Sequence, residues 1–409
     1  MKVLMLSWEY PPHNVGGLGK HVTELIPMLG KVGVEVHLVT PRVAGGPAEE
    51  TICPVLDERG LAGLSKVYRV DSPSTGAPNF FVNATQTNTA LEQFARSLWD
   101  TEGPFDIIHV HDWLVAFAGV ALKHAYRTPL LATIHATEHG RGRGTVRGDV
   151  PQAINNVEWW LTYEAWRVVC CSGFMANEVQ TALRTPADKV DVIPNGIDTT
   201  RFDVLANEDL SDFRAGFASP DEKILFYVGR VVYEKGVHLL VQAMPRLIGQ
   251  GRHVKLVVAG TGDHLNDVRQ QAQRLGVAGS SYFTGFIPDA TRDRLFKVAD
   301  VAVFPSLYEP FGIVALEAMA ARTPVVVSEV GGLTEVVKHG ETGVTVYQND
   351  VSSLVWGIEH TLDHPDWAQQ RAALAYQVVV EQFNWKAIAV KTNEVYERIV
   401  AERQSTVWT

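Results

Sequence analysis

The stretch Ile224 to Gly236, "ILFYVGRVVYEKG", holds five apolar residues, a glycine, the cations Arg230 and Lys235, and a second glycine that opens a helix-length segment. A short apolar run bounded by glycine reads as a strand buried on both faces, as in a parallel sheet. The charged pair then falls between a strand end and a helix start, where doubly wound α/β domains collect their ligands. Arginine offers a planar fork and lysine a mobile point charge, so together they can neutralise a diphosphate beside the positive end of a helix. Either cation alone is more often a solvated surface charge than a ligand.

The same grammar runs outward in both directions. Strands are predicted at 2–7, 35–40, 106–110, 130–134 and 167–171, with a helix over 19–33. A second series has strands at 223–228, 254–259, 281–284, 301–304 and 324–328, separated by helices at 236–249, 264–275, 289–299 and 313–322. Alternating strands and helices indicate parallel sheets with crossover helices, and 409 residues exceed what one core usually serves. The expected class is therefore α/β with two Rossmann-like doubly wound domains facing an interdomain cleft. We place an N-terminal domain at 1–200, joined by the C-terminal helix 385–409, and a second domain at 205–384. Residues 195–220 lack a strong period and read as the connection. From Ser352 the chain reads as purely helical.

Composition narrows the class. Hydrophobic residues make up 46% and charged residues 20%, as in ordinary globular proteins. A formal net charge of -10 argues against nucleic acid or an anionic membrane as a partner. The cysteines are Cys53, Cys170 and Cys171, without ligand-like spacing, which suits a reducing compartment and no structural metal. The apolar run Trp113 to Leu122 is too short to span a bilayer. The expected setting is cytoplasmic, with at most peripheral membrane contact.

Other strand ends carry candidate chemistry. After the first strand, Gly16, Gly17 and Gly19 lead into the first helix and let backbone N–H groups approach a phosphate. A tight turn is the plain alternative, and the spacing matches neither a dinucleotide fingerprint nor a Walker loop. Asp112 and His135 follow strands where catalytic groups gather. In "YEPFGIVALE", residues 308–317, Glu309 precedes a helix and Glu317 lies about one turn inside it. The free N–H groups of Phe311 to Val314 suit an anion, and the two carboxylates suit neutral hydroxyls on either side of it. A molecule with hydroxyls, diphosphate and hydroxyls in series is a nucleotide sugar. The neighbouring "ALEAMAA" implies a buried helix, in which an unpaired carboxylate is costly. In "TEHGRGRGTVRGD" and "NNVEWWLTYEAW", arginines among glycines read as either an anion grip or a mobile loop. The aromatics Trp159, Trp160, Tyr163 and Trp166 read chiefly as the buried face of a helix.

Taken in order, "GGLG", "HVHDW", "TIHATEHG", "VIPNGID", "VGRVVYEKG", "AGTGD" and "EPFGIVALEAMA" resemble the retaining glycosyltransferases of family 4 and, more distantly, glycogen and starch synthases. The resemblance covers residues 1 to about 350 and implies the GT-B fold, with the donor held mainly by the second domain and the acceptor mainly by the first. It implies that Arg230 and Lys235 bind the diphosphate, Glu317 the ribose hydroxyls and Glu309 the donor sugar, with His135 near the 6-hydroxyl. It adds Gly16, Gly17, Gly260, Phe286, Ile287, Pro310, Phe311, Gly312, Ile313 and Val314 as donor contacts. Asp112, Glu138, Arg141 and Arg143 are the acceptor-side candidates. No cofactor and no catalytic metal are expected, since no Asp-x-Asp site is visible and fixed cations can take the leaving group's charge. Val15 stands where glycogen and starch synthases carry lysine. The expected activity is therefore transfer of a hexose, glucose favoured, from a UDP-sugar to a carbohydrate or lipid-linked acceptor. An ADP-glucose α-glucan synthase and a nucleotide-sugar 2-epimerase are the alternatives.

Overall fold

The computed structural model describes residues 1–13, 16–52, 65–72 and 76–408, so Val15 and Cys53 lie outside the described residues. Two compact units emerge, one of Met1–Gly196 with Trp385–Thr409 and one of Ile197–Asn384.

The first unit carries strands β1 (Lys2–Leu6), β2 (Glu35–Pro41), β3 (Glu49–Ile52), β4 (Ser65–Val70), β5 (Ile107–His111), β6 (Leu130–Ile134), β7 (Arg167–Cys170) and β8 (Val190–Val192). They form one sheet in the order β3-β4-β2-β1-β5-β6-β7-β8, parallel except for the β3–β4 pair. The chain order reverses between β1 and β5, and the carboxyl ends of strands beside such a reversal form the expected crevice. Helices α1 (Gly17–Lys31), α2 (Phe80–Glu102), α3 (Ala116–Tyr126), α4 (Glu138–Arg141), α5 (Asp149–Glu164) and α6 (Gly173–Ala182) connect the strands. The side chains of Asn79 and Ser172 accept backbone N–H groups at the starts of α2 and α6, meeting donors that a helix leaves open.

The second unit begins with short helices α7 (Thr200–Val204) and α8 (Ser211–Ala215), then alternates β9 (Lys223–Val228), α9 (Val237–Gly249), β10 (Val254–Ala259), α10 (Leu265–Arg274), β11 (Ser281–Gly285), α11 (Asp289–Val298), β12 (Val301–Phe304), α12 (Ile313–Ala320), β13 (Val325–Ser328), α13 (Leu333–Val336) and β14 (Val344–Val346). Its six strands are wholly parallel in the order β11-β10-β9-β12-β13-β14, reversing between β9 and β12. Helices α14 (Val351–Asp363) and α15 (Pro365–Gln382) complete it.

Helix α16 (Trp385–Ser405) returns to the first unit. Its Trp385, Ile388, Ala389, Val395, Tyr396 and Ile399 share one buried core with Leu18, Val22, Leu25, Ile26 and Leu29 of α1. The predicted elements omit β3, β4, β8 and β14, and the helices α2, α3, α4, α6, α7, α8 and α13. Strand β3 is almost entirely exposed and antiparallel, so no apolar run betrays it. Strands β8 and β14 have three residues each, below the length at which a run is distinctive. The run Trp113 to Leu122 falls largely in α3, where Gly119 lets the helix close on Val110 of β5. No helix among the described residues is long and apolar enough to cross a membrane.

Candidate active site

In the second unit the loops after β9, β10, β11 and β12 are joined backbone to backbone. The Val231 N–H donates to the Thr261 carbonyl at 2.8 Å, and the Gly260 N–H donates to the Gly285 carbonyl at 2.7 Å. Leu307 and Tyr308 both donate to the Glu234 carbonyl, at 2.7 and 3.2 Å. Two glycines permit this closeness. A Cβ on Gly236, whose φ is +69°, would lie 1.9 Å from the Pro305 carbonyl oxygen. A Cβ on Gly260, at φ +132°, would lie 1.9 Å from that of Gly229. Only glycine accepts both the left-handed backbone and the contact.

These loops bring most of the predicted donor residues into one neighbourhood. The Lys235 ammonium lies 2.8 Å from the Glu309 carboxylate, and the Ser306 hydroxyl donates to the same oxygen at 3.2 Å. Glu309 is only 8% exposed, so its charge depends on these partners. Arg230 is exposed and lies 3.7 Å from Glu234, while the Tyr227 hydroxyl donates to the Arg230 carbonyl at 2.9 Å and pins the turn. Pro310, Phe311 and Gly312 lead into α12, whose first turn contains Ile313 and Val314; those leading N–H groups have no partner inside the helix. Phe286, 76% exposed, and half-buried Ile287 follow β11.

Glu317 is 2% exposed and already meets cations. Its carboxylate lies 2.8 Å from Arg201 and 3.4 Å from Arg292, and Arg292 also pairs with Asp289 and Asp293 at 2.9 and 3.2 Å. The cost expected for a carboxylate buried in "ALEAMAA" is therefore met by protein cations. Sequence reasoning missed both. Burial of Glu317 demanded a cation, but Arg201 lies in the patternless connection, and nothing in the spacing selects Arg292 of α11.

In the first unit the glycine loop is differently engaged. The Glu9 carboxylate accepts the Gly16 N–H at 3.0 Å and the Gly19 N–H at 3.2 Å, while Gly17 begins α1. The protein's own carboxylate thus stands where a phosphate was expected.

Asp112 closes β5 with φ +59°, and its buried carboxylate accepts the His135 N–H at 2.7 Å. Burial pushes Asp112 up to about 6 against the pull of Arg141 and two backbone N–H groups. Glu138 opens α4, and its N–H donates to both oxygens of buried Glu158, at 2.9 and 3.0 Å. Burial raises Glu158 to about 8. Arg141 lies 3.6 Å from Glu138, and Arg143 is exposed with φ +52°. The aromatic reading needs correction in part: Trp160, half-buried and 5.5 Å from Phe117, and Trp166, packed on the core, fit it, but two residues of α5 do not. Its inward face is Ile154, Val157, Glu158, Leu161 and Thr162, whereas Trp159 and Tyr163 stack on each other in solvent at 5.6 Å, 47% and 68% exposed. Four residues separate them, one helical turn, so they share the outer face.

Matches to known proteins follow this architecture. Residues 15–201 match the model described as Glycosyltransferase Family 4, and residues 210–397 match that of glycosyl transferases group 1. An uncharacterized glycosyltransferase of Methanocaldococcus jannaschii is 40% identical over 401 residues, 97% of this chain and 98% of that protein. A glycogen synthase of Mycobacterium tuberculosis is 37% identical over 402 residues, 97% and 94% of the two chains. The structure of sucrose-phosphate synthase from Thermosynechococcus elongatus superposes with a TM-score of 0.81 at 26% identity, covering 98% of this chain and 99% of that one. The chain belongs to the family 4 type of glycosyltransferases, with a two-domain GT-B fold related to glycogen and starch synthases.

Proposed function

We propose that this glycosyltransferase is retaining and metal-independent, and moves a hexose, glucose in the first instance, from a UDP-sugar to a polysaccharide, oligosaccharide or glycolipid acceptor. The observation that carries the reading is the Lys235–Glu309 pair at 2.8 Å, set just before the N-terminus of α12 with Arg230 on the adjoining loop. Cleaving a sugar–phosphate bond leaves an oxocarbenium-like sugar and a more negative diphosphate, so fixed positive charge at the leaving group lowers the barrier. Arg230, Lys235 and the first N–H groups of α12 supply it. Glu309 takes hydroxyls of the sugar, and Lys235 pairs with that carboxylate until the diphosphate draws the ammonium away. Glu317 takes the ribose hydroxyls while Arg201 and Arg292 pair with it. His135 contacts the sugar, and the departing phosphate accepts the acceptor's proton, so no protein nucleophile is required. Asp112, Glu138, Arg141 and Arg143 serve the acceptor in the first unit.

The glycogen synthase relative supports a second reading, an ADP-glucose α-glucan synthase. Calorimetric titration with UDP, ADP and GDP separates the two. We expect UDP to bind most tightly, and Lys235→Ala to weaken it. Preference for ADP favours the glucan synthase, and absence of all nucleotide binding overturns both.

A further inference from the structure

Four histidines of the first unit meet in its interior: His21 of α1, His109 and His111 of β5, and His135 after β6. Ring centroids are 4.8 Å apart for His21 and His135, 5.4 Å for His21 and His111, and 4.4 Å for His109 and His111. Three of the rings are buried and His135 is half-buried.

The hydrogen bonds fix where the remaining protons sit. His109 spends both nitrogens, on the Tyr396 hydroxyl and the Thr133 hydroxyl, each at 2.7 Å. His21 Nδ1 lies 2.7 Å from Asn195 Oδ1, which only accepts, so Nδ1 carries the proton and Nε2 is a bare lone pair. His111 Nδ1 lies 3.1 Å from His135 Nε2. A proton on His111 Nε2 would bury a donor with no acceptor, which is costly, so that proton also sits on Nδ1. His21 and His111 are 5% and 0% exposed, and neither Nε2 has a partner within the protein. Among the described residues, His21, His111 and His135 form the one group of three whose ligand-capable atoms all lie within 4.8 Å of one another.

We propose that the bare Nε2 atoms of His21 and His111, joined by His135 Nε2 once it exchanges the His111 hydrogen bond for the ion, form an inhibitory binding site for a borderline divalent transition-metal ion of the Zn²⁺ type. Neutral imidazoles are the donors such ions prefer, whereas Mg²⁺ and Ca²⁺ require oxygen. The His21–Asn195 bond supplies the outer partner that aims a ligating ring. Binding stands on the imidazoles alone. Inhibition rests on the role proposed for His135, because a metal-held ring is withdrawn from the sugar.

Chelator-treated full-length protein titrated with Co²⁺ should develop a visible absorption band that saturates at one equivalent and is bleached by Zn²⁺. X-ray absorption of the Zn²⁺-loaded wild type, which needs no variant, should show imidazole nitrogens at about 2.0 Å. His21→Gln and His111→Gln should abolish the band while thermal melts show them folded, and Asn195→Ala should weaken binding about tenfold. Replacing the neighbouring pair His360 and His364, whose ring centroids lie 4.8 Å apart on the second unit, by Gln should change nothing. An oxygen-only shell, no band, or a band that survives His21→Gln or disappears with the His360/His364 double variant overturns the site. Zn²⁺ should lower turnover more than tenfold without changing UDP affinity; a bound ion that leaves turnover intact overturns the inhibition. A saturable band in a chain that turns over no nucleotide sugar supports the metal site and refutes the transferase assignment, so the two failures are distinct.

Discussion

Each glutamate of "YEPFGIVALE" meets cations of its own, and their substitutions should separate. Glu309→Gln removes the partner of Lys235 and should reduce turnover about 100-fold while UDP affinity changes little; turnover assays beside calorimetry check this. Glu317→Ala leaves Arg201 and Arg292 facing a lost counter-charge. It should cost about 3 kcal/mol in denaturant unfolding as well as weaken nucleotide binding, whereas Glu317→Gln should weaken binding with a smaller stability loss. Arg230→Ala and Lys235→Ala should each lower turnover by about two orders of magnitude. Near-normal rates in both contradict the assignment.

Glu158 carries a pH signature of its own. Folded, its carboxyl keeps the proton up to about pH 8, against an ordinary value of 4.5, because burial outweighs the Glu138 N–H and Arg141. The folded state therefore binds more protons between these values. This contribution to stability is complete below about pH 4.5, falls as pH rises through the window, and is gone above about pH 8. Glu158→Gln lacks the proton, so the difference in Tm should move in the variant's favour from pH 5 to pH 9. A pH-independent difference refutes the burial argument.

At the scale of elements, strand-end loops make the site, and close glycine contacts hold the loops. Gly236→Ala sets a Cβ 1.9 Å from the Pro305 oxygen in a left-handed backbone. It should destabilise the chain by several kcal/mol or disturb the β9–α9 and β12–α12 loops together, read by melts and by UDP affinity. The strands buried on both faces, β1, β5, β6, β9, β10, β12 and β13, were legible because their apolar runs have no competing interpretation. Strand β3 was not, since an exposed edge strand has no such run. Arg230, Lys235 and Glu309 were legible because each follows a strand. Arg201, Arg292 and the imidazoles of His21 and His111 were not, because their importance comes from partners far away in the chain. A same-face pair such as His109 and His111 on a buried strand is the one local signal that pointed inward.

For the whole molecule, the chain's end completes its beginning. Trp385, Ile388, Val395, Tyr396 and Ile399 of α16 are buried against α1 and the β1–β2 region. Each large apolar side chain contributes about 1.5–3 kcal/mol on burial, and a domain's whole stability is about 5–15 kcal/mol. Deleting residues 385–409 should therefore unfold the first unit, seen as loss of its cooperative transition, while the second unit alone should still bind nucleotide. Retention of both transitions contradicts this account of the core.

Transfer of a hexose from a nucleotide sugar with retention of configuration is the reaction proposed for this chain. Proton NMR of UDP-, ADP- and GDP-glucose incubated with chelator-treated protein and candidate glucan or lipid-linked acceptors tests it most directly. UDP should be released without added metal, and the first-formed glucosyl product should carry the α anomeric signal of the donor. A β product, a requirement for added divalent metal, or donors that all remain intact would contradict it.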